Sequence, residues 1–139
     1  VAPHQEQSQQ LELEEALQRS FELSTLDSRQ LRAFAAAPTT LPAQRATLLR
    51  AAERLLSAER RRGAQPKRQA ELELALADVE RIRENARVLG AIHAKQGEAM
   101  SEQVLKLEAR IVALRTRVAE LSSEADGFVA AAQHELSRL

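Results

Sequence analysis

The sequence predicts an all-α protein: a long antiparallel helical hairpin or coiled coil, kinked near residues 63–66, with a short N-terminal helix and room for a remnant strand before it. Three observations predict it. The first is an uncharged stripe at alternating spacings of four and three: Met100, Val104, Leu107, Ile111, Leu114, Val118, Leu121, Ala125, Phe128 and Ala132. Apolar residues at that spacing keep one face of a helix turned toward a partner helix. The second is composition. Only four glycines and four prolines occur in 139 residues, 29% are charged, and Ala, Leu, Glu, Arg and Gln abound, as in long helices. The third is length. Pro42 to Leu89 is 48 residues and Glu98 to Leu139 is 42, so two rods of roughly 70 and 60 Å would face each other across a short loop.

Taken in order, residues 1–10 are polar and Gln-rich, without periodicity, and read as a disordered tail. Residues 11–38 form a lead-in. Within it, Leu11 to Leu23 alternates like a strand yet is rich in helix formers, so pattern alone leaves both open. Asp27 or Thr25 then caps a short helix through Leu31 and Phe34 that ends before Pro38.

Residues 39–139 make the hairpin. Thr39, Thr40 and Pro42 supply a hydroxyl cap and a first-turn proline for a helix over about 42–89. Leu48, Leu49, Ala52, Leu55 and Leu56 give its first apolar face; Leu72, Ala75, Val79, Ile82, Ala86 and Leu89 give its second. Gly63 and Pro66 interrupt it between the two, and an interior proline costs about 3 kcal/mol, so a kink or break is expected there. A loop over 90–97 and a helix over 98–139 complete the hairpin. A true reversal at 63–66 would instead leave half of the C-terminal stripe uncovered. One feature favours self-association: Val104, Ile111 and Val118 alternate with Leu107, Leu114 and Leu121, the preference of parallel two-stranded coiled coils.

Several functions find no support in the residues. Twenty basic and twenty acidic side chains cancel, and there is no cysteine for disulfides, thiolate metal sites or thiol nucleophiles. His4, His93 and His134 lie far apart, and His134-Glu135 lacks the further ligands that zinc requires. No serine has a base in a plausible triad, Glu71 and Glu73 fall on different helix faces, and no glycine-rich phosphate loop occurs. An enzyme is not expected, nor a cofactor or metal. No apolar run reaches the roughly 18 to 20 residues of a membrane span. The chain begins at Val1 and is expected to be a piece of a longer protein, so its compartment stays open.

The segment Val79-Glu80-Arg81-Ile82-Arg83-Glu84-Asn85-Ala86 resembles the Gln-x-Arg-Ile-Arg-Glu-Asn-Leu stretch of bacterial proteins of unknown function related to mucoidy inhibitor A. Leu11-Glu12-Leu13-Glu14-Glu15, with Phe21 to Asp27, is similar to the strand end and lead-in before that family's helical hairpin. Glu102-Gln103 and Lys106-Leu107-Glu108 are similar to the opening of its return helix. The resemblance spans roughly residues 11–121 and departs from the family in having no tyrosine in the loop. It implies a hairpin appended to a β-rich domain upstream, a remnant strand within Leu11–Leu23 and no catalytic residues. The location is left open by the sequence, the bacterial cell envelope included.

Two functional expectations follow. The first is a non-catalytic structural, oligomerisation or interaction module, whose seam is Met100, Val104, Leu107, Ile111, Leu114, Val118, Leu121 and Phe128, and whose partner is itself or another helix. The second is a module that uses the basic stretch 45–68 on nucleic acid or an anionic membrane surface, with Arg54, Arg60, Arg61, Arg62, Lys67 and Arg68 as the patch. That stretch holds eight basic residues against Glu53 and Glu59, but it has no interleaved aromatics and no reader motif, which argues against nucleic acid. An acidic flank, Glu6 to Asp27, could simply balance it.

Overall fold

The computed structural model describes Leu23, residues 25–89 and residues 94–139. Three helices run through them, α1 (Ser28–Ala35), α2 (Pro42–Leu89) and α3 (Ala94–Leu136), with no strand among the described residues. The readings of 1–10 as a tail and of 11–22 as strand or helix lie outside the described residues.

Asp27, not Thr25, caps α1. Its Oδ1 accepts from Gln30 N–H at 2.8 Å, while Gln30 Oε1 accepts from Asp27 N–H at 2.9 Å. This reciprocal capping box satisfies two amide donors that a helix start leaves unpaired. Leu31 and Ala35, four apart, are buried on one face. The helix stops three residues before Pro38, and its last carbonyls are used from below. Thr40 Oγ1 donates to Phe34 O at 2.8 Å, and Arg45 Nε donates to Ala35 O at 2.9 Å. The hydroxyl expected to cap α2 is thus turned back onto α1, which buries Thr40. Leu41 is the residue before Pro42, and its carbonyl accepts from Arg45 N–H at 2.9 Å.

α2 keeps the expected bounds and runs without a break through Gly63 and Pro66. Proline there removes the N–H that Arg62 O would accept from, but both residues are exposed, so water can satisfy that carbonyl. α3 starts at Ala94, inside the expected loop 90–97. Gly97 falls in its first turn, with open space around its Cα.

The contacts gather into two compact units: the chain up to Arg60 with Glu124–Leu139, and Arg61–Ser123. In the first, Leu23, Leu31, Ala35, Leu48, Ala51, Ala52, Ala132 and Leu136 form the core. The alanines at 51, 52 and 132 let backbones approach closely, and the leucines fill the space around them. Each buried leucine contributes about 1.5–3 kcal/mol. In the second, Leu72, Ala75 and Val79 of α2 pack with Ile111 and Leu114 of α3, flanked by Val104 and Leu107. Gln65 reaches Val118 and Arg83 reaches Glu108, so numbers rise on α2 as they fall on α3. The two long helices pack as an antiparallel hairpin.

Running back from Leu72 at spacings of four and three, the inward face of α2 meets Arg68, Gln65 and Arg61, all half-buried. This polar run ends the second core. Gln65 Nε2 donates to Val118 O at 3.4 Å, and Arg68 pairs with Glu71 at 3.0 Å.

Candidate interaction surfaces

The α3 stripe is the site that the sequence marks most clearly. Ile111, Leu114 and Leu121 are buried; Met100, Val104, Leu107, Val118 and Phe128 are half-buried. None is exposed, and Val104, Leu107, Ile111 and Leu114 pack against Leu72, Ala75 and Val79 of α2. Burial weakens toward the loop. There Ile82 and Met100 border two open grooves: one of about 630 Å³ with Asp78, Arg81, Asn85, Gln103, Lys106 and Leu107, and one of about 450 Å³ with Arg83, Ala86, Gly97, Ser101, Val104, Leu105 and Glu108. The Arg83–Glu108 ion pair, 2.8 Å, lies on the rim of the second.

The basic residues of the stretch are divided between the two units. In the first unit Arg54 turns to the buried carboxylate of Glu135, 4.0 Å away, which Arg50 also meets at 3.4 Å. Arg60 is exposed in that unit. In the second unit Arg68 pairs with Glu71 and Arg61 lies on the half-buried inward face. Arg62 and Lys67 are exposed there, on different faces by helical spacing. The sequence counted charges along the chain; a helix distributes them around its axis.

His134 Nε2 sits 3.2 Å from Arg138 Nη2, and His4 and His93 fall outside the described residues. Among the described residues no group of three acidic, histidine or cysteine side chains is placed to hold a metal ion, and no helix is long and apolar enough to cross a membrane.

One apolar feature lies outside the seam. Leu105 and Val112, on the outer side of α3, are 66% and 64% exposed. They stand seven apart on the side of α3 turned away from the seam, a spacing the sequence displays.

No family model matches the chain, and neither does any curated protein or solved structure.

Proposed function

We propose that this chain is a non-catalytic structural and protein-interaction module of a larger bacterial protein, acting through self-association or a partner helix. The packing of α3's uncharged stripe against Leu72, Ala75 and Val79 carries this reading. A hairpin closed by its own seam leaves its outer faces for contact. The resemblance to proteins related to mucoidy inhibitor A supports it, since that family carries such a hairpin beside a β-rich domain. The basic stretch lends less to a nucleic-acid or lipid-surface reading, because Arg54 and Arg68 are held in intrachain ion pairs.

The test is alanine substitution at Leu107, Leu114 and Leu121, read by circular dichroism and light scattering. Loss of helicity, with association weakened in step, is expected if the hairpin is the working unit. Helicity and association both unchanged would overturn the reading.

A further inference from the structure

Within the Arg61–Ser123 unit, the tip of the hairpin is built differently from the core behind it. Leu72, Ala75 and Val79 of α2 are buried with Ile111 and Leu114 of α3. One turn further along α2, Ile82 is half-buried, and every residue from Arg83 to Leu89 is exposed. Ala86 and Leu89 continue the face of Val79 and Ile82 at spacings of four and three, so they have not turned away from α3. The reason lies across the gap. Ala86 borders the groove of about 450 Å³ together with Gly97 and Ser101, three residues too small to fill it. On α3, residues 95–99 are exposed as well, and Met100 is half-buried. The polar link between the helices here is Arg83 Nη2 to Glu108 Oε1, 2.8 Å, with both side chains about half exposed. The neighbouring ion pairs, Asp78–Arg81 and Glu84–Arg87, lie within α2 and join nothing to α3. Few buried apolar contacts and one half-solvated cross-link set a low free energy for local opening.

We propose that this tip, residues 82–89 of α2 with residues 95–103 of α3, opens as one unit while the core of Val79 and Ile111 stays closed, and that the Arg83–Glu108 pair is its latch. The inference goes beyond the interaction-module reading, since it concerns the hairpin whether or not the chain associates. Opening bares Ile82 and Met100, so the hairpin gains an apolar end without losing its core. The latch is electrostatic and half solvated, so ionic strength moves it. Simple fraying behaves otherwise. Each helix then loosens from its own end, and a change on one helix does not reach the other.

The experiment is hydrogen exchange read by mass spectrometry on the whole chain, under conditions where exchange follows the opening equilibrium. Amides of residues 83–89 and 98–103 should share one opening constant and exchange faster than those of residues 72–79. Glu108→Gln should speed exchange in both tip segments alike, by about two- to fivefold, as expected for a half-exposed ion pair, and leave residues 72–79 unchanged. Arg83→Gln should do the same, and the two together should do no more than either alone. Raising the salt concentration should reproduce the effect in the native chain and not in the double variant. Ala86→Leu, which fills the groove with little change in helix propensity, should slow exchange in both segments. Unequal opening constants for the two tip segments, Glu108→Gln that leaves residues 83–89 untouched, or tip and core exchanging together would each overturn the proposal.

Discussion

The carboxylate of Glu59 receives two hydrogen bonds from Ser28: the backbone N–H reaches Oε1 at 3.1 Å and the hydroxyl reaches Oε2 at 2.7 Å. Ser28 opens α1, where amide donors lack helical partners and the helix dipole favours an anion. Glu59 thus fastens α1 to α2 from 31 residues away. Replacing Glu59 by alanine should cost about 1 kcal/mol, the usual net worth of such bonds at a half-wet site. A double-mutant cycle with Ser28→Ala, followed by urea unfolding, checks it. The double change should cost less than the sum of the two single changes, whereas simple additivity would mean that the hydroxyl–carboxylate contact contributes nothing.

Leu114 and Leu74 contrast burial with mere apolarity. Leu114 is packed in the second core, while Leu74 is 68% exposed. Leu114→Ala should destabilise by about 2–4 kcal/mol, because it removes transferred surface and leaves a cavity. Leu74→Ala should stay within about 0.5 kcal/mol. Denaturant midpoints of the two variants, measured side by side, give the comparison.

Gly63 and Pro66 are both helical and exposed, and a Cβ at Gly63 would meet nothing within 4 Å. Gly63→Ala should therefore raise stability by about 0.5–1 kcal/mol through helix propensity alone. Pro66→Ala restores an N–H to the ladder and should add about 2 kcal/mol, less than the full proline penalty because the unfolded chain also gains freedom. Thermal melts read both. A lower melting temperature for Pro66→Ala would mean that the interruption is itself part of the native packing.

How much of this was legible beforehand depends on range along the chain. The bounds of α2 are local: proline at the first helical position and apolar residues at threes and fours mark Pro42 to Leu89 directly. The capping of α1 by Asp27 is local too. Gly97 misled the reading of the loop, since glycine weakens a helix without forbidding it, and in a first turn little is lost. Pro66 does not end α2, since packing on either side can outweigh a single local penalty. Arg61, Gln65 and Arg68 stand half-buried on the inward face of α2, but a polar run of this kind looks in a sequence like solvated surface. The contacts of Ser28 with Glu59 and of Arg50 with Glu135 join residues 31 and 85 apart. No local pattern announces such pairs. Leu105 and Val112 stand seven apart like residues of the seam, yet a sequence cannot say which of two apolar faces is already covered.

Glu135 offers the last prediction. It is buried, with Arg50 Nε at 3.4 Å and Arg54 Nη2 at 4.0 Å, and both arginines are about half exposed. The two sides of this contact are therefore unequal. Without the glutamate, the arginines can turn to water at little cost. Without the arginines, a carboxylate stays in a largely dry site with its charge uncompensated. Arg50→Ala with Arg54→Ala should cost about 1–2 kcal/mol, discounted from a fully buried pair because the guanidinium groups are half solvated. Glu135→Met, similar in volume and apolar, should be neutral or mildly stabilising beside Ala132 and Leu136. Urea unfolding of the three forms sets the order. If Glu135→Met proved the most destabilising of them, the ion pair would be worth more than its desolvation, and Glu135 would be a principal clamp between α2 and α3 in that unit.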